Sequence, residues 1–146
     1  MAQVAIITAS DSGIGKECAL LLAQQGFDIG ITWHSDEEGA KDTAREVVSH
    51  GVRAEIVQLD LGNLPEGALA LEKLIQRLGR IDVLVNNAGI QRRHPFTEFP
   101  EQEWNDVIAV NQTAVFLVSQ AVTRHMVERK AGKVINICSM QSELGR

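Results

Sequence analysis

Short runs of β-branched and other apolar residues alternate along this chain with longer segments whose apolar residues recur at helical spacing. This alternation is typical of βαβ units, in which parallel strands form one sheet that helices cover. Most of the short runs are almost continuously apolar, as in strands that are buried on both faces. Because βαβ crossovers are right-handed, the pattern predicts an α/β fold, a doubly wound Rossmann-like three-layer sandwich with five parallel strands in the order 3-2-1-4-5. The predicted strands are residues 4–8, 28–33, 54–60, 82–87 and 133–139.

Three helices are predicted between the first four strands. The first ends at Gly26 and the third at Gly79, since glycine is a helix stop signal. The second begins in the segment SDEE, where Ser35 can cap the helix and Glu38 can reach back. The residues predicted to face inward are Ile14, Cys18, Leu21 and Leu22 in the first helix, Ala40, Ala44, Val47 and Val48 in the second, and Leu64, Ala68, Leu71, Ile75 and Leu78 in the third.

A fourth helix is predicted from about residue 101 to residue 129. Eleven of the sixteen residues from Val107 to Val122 are apolar, which is more than one stripe facing one core requires. We therefore expect a second apolar surface to cover this helix. The sequence predicts that the chain associates with itself, through the helix around residues 104–126 or through the edge of the fifth strand.

Composition and charge exclude several classes of function. The chain has 146 residues, of which 45% are hydrophobic, and this is enough for a single domain over residues 1–146. Its net charge of −5 argues against binding to nucleic acid or to an anionic membrane. The lack of a long apolar run or a basic leader indicates a soluble, cytoplasmic protein. Cys18 and Cys138 are predicted to be reduced core thiols, and the four histidines lack metal-ligand spacing, so no metal site is expected.

The segment TASDSGIG, residues 8–15, lies where the first strand ends and the first helix begins. Small residues there let the backbone approach a pyrophosphate, and the unpaired amides and positive dipole end of the helix stabilise its charge. Glycines at such a junction also form plain tight turns. This segment alone therefore leaves both interpretations open.

Four further polar features lie at strand ends or within the fourth helix. Asp60 ends the third strand, NNAG at residues 86–89 ends the fourth, and Ser139 ends the fifth. Each also has a structural explanation, because an aspartate can start a turn, NNAG can be a strand exit, and a lone serine is usually structural. Asn111 interrupts the apolar part of the fourth helix, where an amide side chain is unfavourable unless it finds hydrogen-bond partners.

Together these features resemble the classical short-chain dehydrogenase/reductase family, over essentially the whole chain. TASDSGIG is similar to the family's cofactor loop TGxxxGIG, NNAG to its strand-four motif, and the serine of NICS to its catalytic serine. The resemblance implies the dinucleotide-binding half of an NAD(P)-dependent oxidoreductase that acts on CH–OH groups. It implies that Ser139 bonds the substrate oxygen and that Asn111 orders the helix and a proton-relay water. The cofactor contacts that it implies are Ser10, Ser12, Gly13, Ile14, Gly15, His34, Ser35, Asp60, Leu61, Asn87, Ala88 and Gly89.

Two departures from the family pattern bear on activity. Ala9 replaces the first glycine of the loop, and we expect an alanine to need a negative φ there, which would slightly alter the turn. The family's tyrosine and lysine, expected beyond the serine, are not present, and the sequence contains no tyrosine. In the family the tyrosine exchanges the proton of the alcohol. Without it, Ser139 and Asn111 are predicted to be vestigial and cofactor binding to be weak.

The end of the second strand bears on the choice of cofactor. An acidic residue there would bind the ribose hydroxyls of NAD and repel the extra phosphate of NADP. Trp33 occupies that position and is followed by His34 and Ser35. The sequence therefore favours NADP over NAD.

Other origins and functions stay open. Residues up to about 88 resemble an uncharacterised bacterial short-chain oxidoreductase, whereas those from about Gly89 resemble gluconate 5-dehydrogenase, which suggests a chimera. The alternatives are an engineered scaffold without a ligand, a working dehydrogenase for a small hydroxy compound, and a flavodoxin-like electron carrier. The basic loop of Arg92, Arg93 and His94 is interpreted as a solvated turn.

Overall fold

The computed structural model describes residues 2–64 and 66–139 of the chain. Five parallel strands form one sheet in the order β3-β2-β1-β4-β5, with helices on both faces, which confirms the predicted fold and strand order. The strands are β1 Val4–Ile7, β2 Asp28–Trp33, β3 Ala54–Gln58, β4 Val83–Asn86 and β5 Lys133–Asn136. The helices are α1 Gly13–Gln24, α2 Glu37–Ser49, α3 Glu66–Leu78, α4 Glu101–Ile108 and α5 Ala114–Glu128. A single 3-10 turn at Phe96–Glu98 precedes α4.

The two faces of the sheet carry separate apolar clusters. On one face, Ile6 and Leu84 pack with Leu71 of α3 and Val122 of α5. On the other face, residues of β1, β2 and β4 pack against the inner residues of α1 and α2. Because successive strand residues point to opposite faces, the central strands are buried almost throughout. This explains the continuous apolar runs in the sequence.

Four of the five strands end earlier than predicted. Thr8 follows β1, Asp60 lies two residues beyond β3, Asn87 follows β4, and Ser139 lies beyond β5. Only the second strand has the predicted bounds. At the carboxyl edge the chain leaves the sheet, so the polar residues that end the apolar runs lie in the connecting segments and not in the ladder.

The cap of the second helix differs from the prediction. Asp36, not Ser35, precedes α2, and its carboxylate accepts a hydrogen bond of 2.9 Å from the Gly39 amide. Glu38 pairs with Lys41 instead of reaching back. The predicted cap is therefore wrong by one residue, because Asp36 is the residue directly before the helix and its carboxylate reaches the free amide of Gly39.

The inner face of α1 is rotated from the prediction, whereas in α2 the predicted Ala40 and Val47 are buried and only Val48 turns outward. Ile14, Leu21 and Val48 were expected to face the core, but each is more than half exposed. Small residues take their places at the contact with the sheet. The buried residues are Gly15, Ala19 and Ala23 in α1 and Ala40, Thr43 and Val47 in α2.

The long fourth helix is interrupted. α4 and α5 are joined by a π turn at Ala109–Thr113, so the predicted continuous helix from 101 to 129 is wrong at its centre. A π turn adds one residue to a helix and is frequent at functional sites. Within residues 2–64 and 66–139, none of the helices, this one included, combines the length and apolarity that a membrane crossing requires.

β5 is unlike the other strands, because all four of its residues are exposed. It pairs only with β4 among the residues that the structure describes. Cys138 follows it and is also exposed, while Cys18 in α1 is half-buried. The prediction of a core thiol is therefore wrong for Cys138, since the sheet face beside β5 lacks a covering helix in the described part of the chain. Cys18, in contrast, packs against the core between α1, α2 and the sheet.

Asp82 anchors the amino end of β4. Its carboxylate accepts hydrogen bonds from Arg80, Arg129 and the Val4 amide, over distances of 2.5 to 2.8 Å. Burial by itself would raise the pKa of Asp82, but these donors outweigh burial and lower the pKa to about 2. The buried carboxylate therefore ties the start of β1 and the end of α5 to β4.

Asp82 is expected to make the free energy of unfolding depend on pH in the acid range. Its ordinary pKa is 3.8, so the stabilisation is complete above about pH 4 and is lost as the pH falls through about 2. The shift corresponds to about 2 kcal/mol. We therefore compare the free energies of unfolding of the parent chain and of Asp82→Asn in urea. The difference between these two free energies should decrease by about 2 kcal/mol from about pH 5 to about pH 2. A gap that does not change with pH would contradict this account.

Candidate functional site

A crevice of about 310 Å³ opens at the carboxyl edge of the sheet. Its walls come from the loop after β1, the ends of β2 and β3, the segment after β4, and the junction between α4 and the π turn. This is the edge at which open α/β sheets bind ligands. The predicted cofactor contacts that line the crevice are His34, Asp60, Leu61, Ala88 and Gly89.

The loop after β1 is held by side chains of neighbouring strands. The Thr8 hydroxyl accepts hydrogen bonds from the amides of Asn87 and Ala88, both at 2.9 Å. In return, the Asn87 side-chain amide donates to the carbonyls of Thr8 and Ala9, both at 3.0 Å. The Thr32 hydroxyl accepts from the Ala9 amide at 3.1 Å. These reciprocal bonds fix the loop against the ends of β2 and β4.

Ala9 adopts a φ of +51°, so the expected negative φ is wrong. Both of its backbone polar groups are held, the amide by Thr32 and the carbonyl by Asn87. These bonds impose the left-handed conformation that a glycine accepts without strain, and alanine pays about 1–2 kcal/mol for it. The replacement of glycine therefore stores strain in the loop.

Helix α1 begins directly after this loop and supports it. Gly15 is buried, and a Cβ there would lie 2.6 Å from Nδ2 of Asn87 and overlap the carbonyl oxygen of Ala9. Ser12 precedes the helix, and its side chain makes no capping hydrogen bond within the described residues. The loop thus rests on the first helical turn, whose amide end faces outward with Ser12, Gly13 and Ile14 exposed.

Seven of the predicted cofactor contacts do not line the crevice, namely Ser10, Ser12, Gly13, Ile14, Gly15, Ser35 and Asn87. Ser10 is completely buried, and its hydroxyl donates to the Ile7 carbonyl at 2.9 Å and accepts from the Thr32 amide at 3.3 Å. It has no surface to offer to a ligand, so its predicted contact is wrong and its role is to brace the loop. Ser35 is exposed but lies outside the crevice walls.

Asp60 and His34 are neighbours on the crevice wall. His34 Nε2 is 3.8 Å from Oδ1 of Asp60. The same carboxylate oxygen accepts a hydrogen bond of 2.8 Å from the Gly62 amide. Asp60 therefore shapes the turn after β3, as its structural interpretation predicted, and it also lines the crevice.

Asn86, the first residue of NNAG, connects three elements. Its side-chain amide donates to Oγ of Ser119 in α5 and to Oδ1 of Asn136 in β5, both at 2.9 Å. Ser139 lies three residues beyond Asn136, is exposed, and follows β5 at the same edge of the sheet. The buried amide of Asn86 thus sets the position of β5, which carries the chain toward Ser139.

Asn111 lies in the π turn and closes on the segment after β4. Its Oδ1 accepts from the Ile90 amide and its Nδ2 donates to the Ile90 carbonyl, both at 2.8 Å. The side-chain amide thereby mimics a backbone pair, which explains how it is tolerated inside a helix. Ala109 and Val110 of the same turn line the crevice.

The family model for short chain dehydrogenases matches residues 3–146. The chain belongs to the short-chain dehydrogenase family. The uncharacterized oxidoreductase YohF of Escherichia coli is 75% identical to it over 141 residues, covering 96% of this chain and 56% of that protein. The chain thus spans little more than half the length of this relative.

Solved structures of short-chain dehydrogenases share the fold closely. The acetoin dehydrogenase YohF of Salmonella typhimurium is 55% identical, with a TM-score of 0.96 over 100% of this chain and 58% of that one. The gluconate 5-dehydrogenase of Burkholderia cenocepacia is 44% identical, with a TM-score of 0.89 over 99% of this chain and 56% of that one. The latter structure is a complex with NADP and tartrate.

Some parts of this short-chain dehydrogenase site were missed from the sequence. Arg92 is exposed, as predicted for a solvated loop, but it also lines the crevice, with its Nε 3.6 Å from Glu103, which the sequence did not indicate. Thr8 and Thr32 hold the loop but were not predicted to do so. Their position at the ends of buried strands could have identified them, because buried hydroxyls must find hydrogen-bond partners. Across the described ranges, no three His, Cys, Asp or Glu side chains lie close enough to hold a metal ion.

Proposed function

We propose that this chain binds NADP, or NAD, weakly in the crevice and that it does not catalyse hydride transfer by itself. The cradle at Gly15 carries the proposal, because a Cβ there would displace the Ala9 carbonyl and the Asn87 amide. A glycine at that point lets the loop pack directly against the first turn of α1. The backbone of Ser12, Gly13 and Ile14, all exposed, is then accessible at the start of the helix.

The pyrophosphate would lie against the first turn of α1. Ser12, Gly13 and Ile14 are exposed there, and no acidic residue lies in the first turn to repel a phosphate. The unpaired amides and the positive end of the helix dipole stabilise a bound anion. In this proposal Gly13, Ile14 and Gly15 hold the phosphates, and Ser12 supplies a hydroxyl at their edge.

The adenosine would occupy the part of the crevice between the ends of β2 and β3. Asp60 and Leu61 would contact the adenine. The segment of Asn87, Ala88 and Gly89 would lie alongside the ribose. His34 and Arg92 are the basic groups on the walls, and the acid that would repel a 2′-phosphate is missing at the end of β2. These charges support NADP over NAD, with Ser35 beside the phosphate.

Ser139 and Asn111 would be the remnants of a catalytic site. The nicotinamide of a bound cofactor exchanges a hydride with the carbon of an alcohol or carbonyl substrate. The alcohol oxygen must exchange a proton in the same reaction, and the 146 residues contain no tyrosine to do so. The Ser139 hydroxyl can orient a substrate oxygen but is too weak an acid to replace a phenol. We therefore expect no turnover by this chain alone.

A tryptophan titration tests the proposed binding. Trp33 lines the crevice, whereas Trp104 lies in α4 and is exposed, so a Trp104→Phe background leaves the signal of Trp33 alone. NADP+ is expected to quench it with a Kd on the order of 0.1–1 mM, about −4 to −5.5 kcal/mol, and NAD+ to bind several-fold more weakly. Excitation at the long-wavelength edge of the tryptophan band, with a parallel titration of free tryptophan, corrects for absorption by the nucleotide. Unchanged Trp33 emission at several times these concentrations would refute the proposal.

Several sequence predictions stay proposals. We propose that residues 1–146 form one domain, that the protein is cytoplasmic, and that its two parts derive from different family members with a crossover near Gly89. We also propose that the chain associates with itself. Trp104 and Phe116 are exposed on the α4 and α5 surface, and large exposed apolar side chains favour such contacts.

A further inference from the structure

The loop between β4 and α4 is anchored on both sides of Arg92. Before it, the amide and the carbonyl of Ile90 are both bonded to the Asn111 side chain at 2.8 Å. After it, Nε2 of His94 lies 3.0 Å from Oε2 of Glu103, and Nε of Arg92 is 3.6 Å from the same oxygen. Arg92 lines the crevice between these two anchors. Its guanidinium is therefore held at the crevice wall, so little side-chain entropy remains to be lost when it contacts a ligand.

The contacts of the Arg92 guanidinium decide what it offers to a ligand. Its Nε lies beside Glu103, and its Nη1 donates to the Gln91 carbonyl at 3.1 Å. A guanidinium binds a phosphate or a carboxylate bidentately through Nε and Nη2 or through Nη1 and Nη2. Each of these pairs includes one nitrogen that is already engaged. The group therefore offers the crevice its plane, and guanidinium planes stack on aromatic rings.

The rest of the crevice suits a planar, uncharged ring. Its volume of about 310 Å³ lies within the range of small-molecule sites, about 300–1,000 Å³. Much of its wall is apolar, including Leu59, Leu61, Ala109 and Val110. Nucleic-acid bases stack on arginine planes in the same way as on aromatic side chains. The adenine of a dinucleotide can therefore lie among these apolar side chains with one face on the guanidinium.

We propose that Arg92 stacks its guanidinium plane on the adenine of the bound dinucleotide, and that Glu103 is the positioning residue that keeps this plane at the crevice wall. The inference rests on the proposed function, because it requires the adenosine part of NADP or NAD to occupy the crevice. The contact serves both cofactors alike, since both contain adenine. Discrimination between them depends on the charge of the crevice walls, which Arg92→Lys preserves.

Arg92→Lys separates the plane of the side chain from its charge. Lysine keeps the positive charge but has no planar group that could stack. Calorimetric titration of the chain, with both tryptophans in place, gives the Kd of NADP+ and of NAD+. We expect the substitution to raise both Kd values about fivefold and to leave their ratio unchanged.

Arg93→Lys is the matched control for this substitution. Arg93 is exposed in the same loop and does not line the crevice, so its substitution should leave both Kd values unchanged. If Arg92→Lys weakens NADP+ alone, Arg92 contacts the 2′-phosphate and not the adenine. Equal effects of the two lysine substitutions would also overturn the stacking proposal.

Glu103→Gln tests the positioning role. It removes the charge beside Nε of Arg92 but keeps an oxygen for His94. It is expected to raise both Kd values about threefold in the parent chain and to have no effect in Arg92→Ala, where no guanidinium remains to be positioned. Glu101→Gln, an exposed residue at the start of the same helix, should have no effect in either chain. An equal effect of Glu103→Gln in both chains, or none in the parent, would contradict this role.

The titrations also separate this inference from the proposed function. A parent chain that binds neither cofactor measurably would refute both. Binding of equal strength by the parent chain and by Arg92→Lys would refute the adenine contact and leave the proposed function standing. Binding by the parent chain, together with a loss that is specific to Arg92→Lys and common to both cofactors, is the result that supports the contact.

Discussion

Replacing Gly15 with alanine is expected to lower the free energy of unfolding by about 3 kcal/mol and to weaken NADP binding at least about tenfold. The new Cβ would overlap the Ala9 carbonyl oxygen and lie 2.6 Å from Nδ2 of Asn87. A backbone carbonyl cannot move aside as a flexible side chain can. The loop must therefore lift from α1, which breaks the Asn87 bonds and moves the amides proposed to hold the pyrophosphate.

Gly13→Ala is the matched control for this effect. Gly13 lies in the same loop and has a φ of +54°, but a Cβ there meets no atom within 4 Å. Its cost is limited to the left-handed conformation, about 1–2 kcal/mol. Urea unfolding gives the stability of each variant and the Trp33 titration gives its affinity. Equal stability of the two variants would mean that the loop does not press on Gly15.

The fold could be predicted from the sequence because its signals are local and repeated. Each central strand is an apolar run bounded by polar or small residues, and each run is followed by helical spacing. The strand order then follows from the handedness of the crossovers. The position of the crevice follows as well, because the carboxyl ends of parallel strands meet at one edge. His34, Asp60 and Gly89 were accordingly predicted at the site and line the crevice.

The details that were wrong depend on contacts between distant parts of the chain. The positive φ of Ala9 is imposed by Thr32 and Asn87, which lie 23 and 78 residues away. The π turn accompanies the bonds between Asn111 and Ile90, which lie 21 residues apart. No local propensity contains such information, since it arises only when β2, β4 and the last helices have been assembled.

The rotation of the helices has a different physical cause. Periodicity places the large apolar residues Ile14 and Leu21 of α1 inward, but α1 approaches the sheet on its small residues Ala19 and Ala23. In α2 the predicted Ala40 and Val47 are buried, and only Val48 stays at the exposed margin. Burying small side chains allows closer packing between a helix and a sheet, and the larger residues at the margin of the stripe stay exposed. The apolar stripe in the sequence therefore predicts that a helix forms. It does not predict which residues of that helix contact the sheet.

Thr8→Val is expected to lower the free energy of unfolding by about 3 kcal/mol although it preserves the shape of the side chain. The Thr8 side chain is buried, and its hydroxyl accepts from the Asn87 and Ala88 amides while facing the Val85 carbonyl at 3.4 Å. Valine removes this acceptor and leaves two amides at the end of β4 without their partner. Each unsatisfied amide costs about 1–3 kcal/mol.

Thr8→Ser separates the hydroxyl from the methyl group, since it keeps the acceptor and removes one buried carbon, which costs about 0.8 kcal/mol. In urea unfolding the serine variant is therefore expected to be more stable than the valine variant by about 2 kcal/mol. The reverse order would mean that Thr8 stabilises the chain by packing alone. In that case the junction of β1 and β4, on which the cofactor loop rests, would not depend on the hydrogen bonds between Thr8 and the NNAG segment.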